Sequence, residues 1–343
     1  MGPSWAIDGS KFKAVNNRDK NFTPHKLQAR VQQLEESIAR YLNDLNRADR
    51  EPAAVPPARV LQLKEKIVAV KAQVRNLRKL ERQLSEIPDQ QVSLTDPDAR
   101  SMATSGRGTG IVGYNVQTAV ETQHHMIVAH EVTNVGHDRT QLTAMATAAR
   151  EAIGRKETTA LADRGYYNGE EILRCEQAGI TTLVPKPLTS NSKAAGLFDK
   201  RDFIYDVKRD EYRCPAGERA VWRMTKVERG RTHYRYWPSA CPRCSIKSQC
   251  TTAKFRIVAR WEHEQVLEVM QRRLDGTPEA PRVRRQTVEH PFGTLKAWMG
   301  ASHFLTKTLP RVRTEMSLHV LAYNLKRMLQ IFGTQTLVAF MKA

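Results

Sequence analysis

Two aspartates close short apolar runs in this chain. Asp8 follows Trp5-Ala6-Ile7 and precedes Gly9, while Asp163 follows Ala160-Leu161-Ala162 and precedes Arg164-Gly165. An apolar strand that finishes on Asp beside Gly holds a carboxylate at a sheet edge, with backbone room for a ligand. Taken singly, a turn-forming Asp is the more ordinary explanation of either one. A third acid, Glu289, stands between Arg285 and Lys296. These three fall at i, i+4 and i+11, one helical face if the helix persists beyond Pro291, where the missing N–H predicts a kink. Such a face is usually a solvated charge ladder, but residues 281 to 330 carry nine Lys and Arg against two Glu. Asp96 and Asp98 compete with Asp8 for the first position. They flank Pro97, which predicts a loop rather than a strand end, so Asp8 is preferred.

Cys214, Cys241, Cys244 and Cys250 form a second constellation. A Cys-x2-Cys knuckle with two outlying cysteines, and tight turns at Pro242 and Gly217, suits a tetrahedral structural Zn²⁺. Four reduced structural thiols are the alternative. Cys175 sits in a predicted helix and reads as core. Arg201, Lys208, Arg209, Arg213, Arg219, Arg223, Lys226, Arg229 and Arg231 crowd the same stretch beside Tyr205, Tyr212 and Trp222. Basic residues interleaved with aromatics fit contact with a DNA backbone. Among the histidines, His290 alone adjoins a candidate acid.

The elements that must position these residues follow from patterning. Residues 5–14 read as a strand. Leu27, Val31, Leu34, Ile38, Tyr41 and Leu45 recur at helical spacing, and Val60 to Ile87 resumes it after the proline-rich break Arg50–Pro57. The pair predicts an antiparallel helical hairpin with a coiled-coil seam, which could also pair between protomers. Residues 113–121 and 126–133 predict a β-hairpin, with Asp138 as N-cap of a helix over 142–153 that ends at Gly154. A strand over 158–163, a helix over 170–177 and a strand over 180–184 complete a mixed α/β sheet. Residues 190–260 read as irregular, and the chain from Trp261 as helical, ending in an amphipathic segment over 313–332.

Composition bounds the partner. With 55 Lys and Arg against 36 Asp and Glu, the 343-residue chain carries a formal charge of +19, which points to a polyanion. No stretch approaches the ~20 apolar residues of a membrane span, and no signal peptide is visible. Five cysteines, an odd number, do not form a secreted disulfide framework.

Together, Ala6-Ile7-Asp8-Gly9-Ser10-Lys11, Gly113 to Val120, Leu161-Ala162-Asp163-Arg164-Gly165-Tyr166 and Arg285-x3-Glu289-x6-Lys296 resemble the DDE transposases of bacterial insertion sequences, in particular the group numbered 1182. The resemblance covers nearly the whole chain, including Leu321 to Arg327. It implies an α/β, ribonuclease-H-like mixed sheet flanked by helices, with an inserted helical hairpin and a Cys-containing insertion. The expected division is a first strand over 1–25, the hairpin over 26–95, core over 96–189, a basic four-cysteine insertion over 190–260 and a C-terminal helical part of the core over 261–343. It implies Asp8, Asp163 and Glu289 as catalytic ligands of Mg²⁺ or Mn²⁺, since two hard cations can activate one oxygen and stabilise another in phosphodiester transfer. Arg285 and Lys296 match the family's basic residues thought to hold DNA, and Arg282, Arg284 and Lys11 are grouped with them. Arg282 stands where the family often has Tyr. The implied partners are double-stranded DNA, at transposon ends and target, and a second copy in a synaptic complex, in the bacterial cytoplasm at the nucleoid. Relatives carry an N-terminal helical region before the first Asp. Its absence ahead of Asp8 predicts a truncated chain and leaves an alternative, a catalytically inactive remnant that binds DNA or assembles.

Overall fold

Side-chain alternation sets the first element. In β1 (Ser4–Lys13), Trp5 and Ile7 enter one buried cluster and Ala6 another, as successive residues of a strand must. The strand runs on past Asp8, which therefore lies inside it rather than at its end. The computed structural model describes residues 4–16, 20–50, 56–87, 89–103, 110–187 and 191–342. After β2 (Asn21–Phe22) come α1 (Pro24–Arg50) and α2 (Pro57–Glu86), then β3 (Val92–Ser93). Pro57 suits the first turn of α2, where its missing N–H has no intrahelical partner to lose. Of the expected proline break, residues 51–55 lie outside the described residues. Leu27 and Leu34 of α1 and Leu63, Ile67, Val74, Leu80 and Leu84 of α2 are buried, and Phe22 and Val92 of the β2–β3 pair join Leu27 and Leu80 in one cluster.

β4 (Arg100–Ala103), β5 (Gly110–Glu121) and β6 (Ile127–Thr133) precede α3 (Leu142–Ile153), β7 (Thr158–Ala162), α4 (Gly169–Gln177) and β8 (Ile180–Leu183). Gly154 ends α3 as expected, with the positive φ of 69° that a glycine adopts at little cost. Gln141, not Asp138, is the N-cap residue of α3, so the expected cap is corrected and the Asp138 carboxylate serves elsewhere. The principal sheet has the order β4–β5–β1–β7–β8, with β6 on β5. β1 pairs parallel with β7, and β7 parallel with β8. β5 runs antiparallel to β1, as the bonds Thr122 N to Ser4 O and Ala14 N to Val112 O require. Antiparallel strands on one side of β1 and parallel strands on the other are consistent with a ribonuclease-H-like fold.

Residues 190–260 depart from expectation. After the short α5 (Asn191–Ala194) they hold β9 (Ile204–Asp206), β10 (Glu211–Arg213), β11 (Arg219–Glu228), β12 (Arg231–Trp237) and β13 (Val258–Trp261), a five-stranded sheet in the order β13–β12–β11–β10–β9. Most of β11 is exposed on both faces, so it lacks the apolar alternation by which a strand is recognised. The chain closes with α6 (Glu264–Asp275), α7 (Ala280–Gly293), α8 (Leu309–Phe332) and α9 (Thr334–Lys342).

Internal contacts divide the chain into two units, residues 1–8, 118–129 and 138–290, and residues 9–117, 130–137 and 291–343. The first has a core of Trp5, Ile7, Leu142, Met145, Tyr166 and Ile172 among others, and a separate cluster of Phe203, Tyr212, Ala220, Tyr236 and Val258 in the five-stranded sheet. The second packs Phe12 against Phe292 and Phe304, with Tyr114 edge-on to Phe304. Among the described residues, no helix is long and apolar enough to cross a membrane.

Candidate active site

The pairing register brings two acids together. Ser4 to Ile7 pair in parallel with Thr159 to Ala162, so Asp8 and Asp163 are the next positions along the two chains. Residues in register on neighbouring parallel strands lie about 4.8 Å apart and point to the same face. Ala6 and Leu161, two residues earlier, share a cluster with Ala280 and Val288 of α7. The carboxylates therefore emerge on the α7 side.

That helix supplies the counter-charge. Ala280, Arg284 and Val288 fall at i, i+4 and i+8, one face of a helix, and both Ala280 and Val288 are buried. Arg284 Nη2 donates to Asp8 Oδ1 and lies 3.8 Å from Asp163 Oδ2. The Arg284 side chain is only 16% exposed. Arg284 is expected from the sequence as a DNA contact; here its guanidinium faces the acid pair. The charged 285–289 face that stands out in the sequence lies one residue, about 100°, around the helix from the face that packs.

Asp163 is held from its own turn. Its Oδ1 accepts the Gly165 N–H at 2.8 Å, and a Cβ on Gly165 would stand 2.9 Å from that oxygen. Asp138 Oδ2 lies 3.8 Å from the same Cβ position, a third carboxylate at the site that sequence reasoning assigned to a helix cap. Beneath them Tyr166 is fully buried. Burial first, then Asp138, Asp8 and Asp163, hold its phenol well above the ordinary value of 10.0, with Arg284 opposing. The phenol stays protonated.

The other expected site residues scatter. Glu289, Arg282 and Arg285 are exposed on α7. Among the described residues, no group of three or more His, Cys, Asp or Glu side chains is arranged to hold a metal ion, so Glu289 is not gathered with Asp8 and Asp163. Beyond Pro291, α7 passes into a π-helical turn over Thr294–Trp298, which breaks the angular register on which an i, i+11 face depends. In the second unit, Lys296 Nζ donates to Ser10 Oγ at 2.6 Å and to the Lys11 carbonyl at 3.0 Å, and lies 4.4 Å from the Phe12 ring centre. Lys296 thus braces β1, and Lys11 contributes its carbonyl to that brace.

Asp96 and Asp98 have structural duties in the second unit. Asp96 is fully buried and accepts from Tyr114 Oη at 2.9 Å and Thr308 N at 3.1 Å. Asp98 Oδ2 accepts from Leu309 N at 2.8 Å, at the start of α8.

Cys214, Cys241, Cys244 and Cys250 line one small cavity and form no disulfide. Gly217, at φ 82°, donates its N–H to the Cys214 carbonyl at 2.8 Å, and Cys244 N donates to the Cys241 carbonyl at 3.3 Å. These are the tight turns expected, although the thiols are not at metal-ligand spacing. Burial raises the Cys250 thiol pKa. Cys175 is buried in the core. Much of the surrounding positive charge is neutralised internally: Arg201 pairs with Asp199, Arg219 with Glu211, Lys226 with Glu228 and Arg231 with Glu170. Tyr212 is buried against Tyr205 and Tyr236, whereas Trp222 is half exposed.

The mixed sheet flanked by helices defines an α/β protein consistent with a ribonuclease-H-like fold. The family model of the transposase DDE domain matches residues 81–325, and the chain belongs to that family. The match takes in Asp138, Asp163, Arg284 and Glu289, and Asp8 lies outside it. No curated protein and no solved structure matches the chain.

Proposed function

We propose that the chain is a metal-dependent DNA transposase that cleaves strands at the ends of an insertion sequence of group 1182 and transfers them to target DNA. The observation that carries this reading is the convergence of Asp8, in β1, and Asp163, the residue just after β7, upon one cation, Arg284. Two carboxylates on rigid neighbouring strands suit a hard cation such as Mg²⁺ or Mn²⁺, with Glu289 as the third ligand once α7 presents it. When bound, the ion would supply an activated oxygen nucleophile and stabilise the leaving oxygen. The chain's own contribution is positioning. Gly165 leaves room for the Asp163 carboxylate, and the buried Tyr166 closes the floor against water. Arg282 and Arg285, exposed beside Glu289, are proposed to meet the DNA backbone, and a second copy is proposed to complete the synaptic complex.

On this reading α1–α2 and the stretch from α5 to β13 are insertions in a ribonuclease-H-like core, and the protein works at the bacterial nucleoid. For the cysteine cavity we propose a structural Zn²⁺, on the support of the shared lining and the two tight turns, with the thiolates drawn inward by the ion. Metal analysis of the purified chain should find about one zinc per chain, lost in a Cys241→Ser/Cys244→Ser variant. Zinc retained by that variant refutes the assignment.

The central test is Mn²⁺ titration of the wild type and Asp163→Asn, with circular dichroism of both, followed by cleavage of element-end DNA. Binding and cleavage should be lost in the folded variant, cleavage by at least ~100-fold. A folded variant that cuts normally would refute the reading. No observation favours the non-catalytic remnant.

A further inference from the structure

Asp8 and Asp163 stand side by side at the register where β7 leaves β1. Two like charges side by side repel one another, and Asp138 adds a third carboxylate nearby. The Arg284 guanidinium is the compensating charge. It is not a long surface side chain that happens to reach the acids. Its backbone is fixed on a helix face whose neighbours one turn either way, Ala280 and Val288, are 2% and 0% exposed. The side chain is mostly buried, and its Nε is buried with no hydrogen-bond partner among the described residues. The fork is thus committed to the carboxylates through Nη2.

We propose that Arg284 is a positioning residue for the acid pair: it holds Asp8 and Asp163 together as their counter-ion and must give way when a divalent cation binds. The inference rests on the metal-dependent reading above. It follows from competition for the same oxygen. Asp8 Oδ1, which accepts from Arg284, is an oxygen a hard cation would need. A lone pair engaged by a guanidinium is not available to a metal, and a full guanidinium charge beside a divalent ion raises the energy of the bound state. Cation binding and retreat of Arg284 are therefore coupled, with equal effect in each direction. A guanidinium is large and planar, and Arg284 lies closer to Asp8 than to Asp163, so a hard cation of smaller radius would draw the two acids together more evenly.

The test is Mn²⁺ binding to the full chain, followed by electron paramagnetic resonance of free Mn²⁺, for the wild type, Arg284→Gln, Arg284→Lys and Asp163→Asn. Arg284→Gln should bind Mn²⁺ about tenfold more tightly than the wild type, the order expected when one charge-assisted competitor is removed. Its melting temperature without metal should fall and should recover more on Mn²⁺ addition than that of the wild type. Arg284→Lys, which keeps the charge without the fork, should lie between the two. This variant decides the matter should Arg284→Gln fail to fold. Equal or weaker binding in the folded Arg284 variants would overturn the inference while leaving metal dependence intact, provided that Asp163→Asn abolishes binding. Absence of Mn²⁺ binding in every protein, wild type included, would remove both the inference and the reading beneath it.

Discussion

Asp8, Asp96 and Asp163 are chemically the same residue, and their surroundings give them different work. Asp8 and Asp163 share a guanidinium on a partly exposed face, whereas Asp96 is sealed from solvent and occupied by Tyr114 and the Thr308 N–H. Burial, helped by the Asp96 hydrogen bond, pushes the Tyr114 phenol upward, so it remains a donor across the physiological range. Asp96→Ala leaves the buried Tyr114 hydroxyl and the partly buried Thr308 N–H unpaired, and the expected cost is about 3 kcal/mol of folding stability, read from urea unfolding. Mn²⁺ affinity should stay unchanged. A large loss of Mn²⁺ affinity in folded Asp96→Ala would instead return Asp96 to the metal site. None of this is written near residue 96, because the partners lie 18 and 212 positions away in sequence.

At the scale of elements, α7 and the β1–β5 pair decide the architecture around the acids. The face of α7 that packs carries Ala280, Arg284 and Val288, a spacing present in the sequence but overshadowed by the more charged Arg285–Glu289 ladder. The π-helical turn after Pro291 could not be anticipated beyond the kink itself, since it depends on how the following residues pack. On the β side, Gly113 permits close approach of two strands: a Cβ there would stand 1.9 Å from the Phe12 carbonyl oxygen. No rotamer relieves a backbone overlap, so Gly113→Ala must separate the strands. We expect a loss of at least ~3 kcal/mol, or failure to fold, measured by thermal and urea melts. A mild effect would mean that β1 and β5 part more readily than their pairing suggests.

For the molecule as a whole, charge is the property that composition counts but does not place. The formal charge of +19 already sets acids against bases, and several of the basic residues between 201 and 231 face acids of the same unit, which lowers the local charge they could offer DNA. Exposed ion pairs contribute little stability, yet they remove charge from any interface. DNA affinity should fall with salt on a slope set by the phosphates contacted, a handful, and not by the net charge. With about six contacts, affinity drops roughly 10³-fold between 50 and 200 mM salt. Fluorescence anisotropy of labelled duplex checks this, and Arg219→Ala, which breaks a pair with Glu211, should leave the slope unchanged. A flat salt response would argue against phosphate contacts altogether.

What the sequence determined by itself is local and periodic. The helical seams of α1 and α2, the β5–β6 hairpin, the α3–β7–α4–β8 alternation and the Asp163-x-Gly165 turn follow from spacing and from turn chemistry, which neighbouring residues impose on one another. Tertiary structure alone decided the rest. It placed Asp8 beside Asp163 across 155 positions through strand register, chose the Arg284 face of α7 over the Glu289 face, turned Lys296 inward, and built a sheet from β9–β13 where alternation was absent. Each of those outcomes depends on which buried surfaces meet, and that is a property of pairs of elements that no single stretch of chain contains.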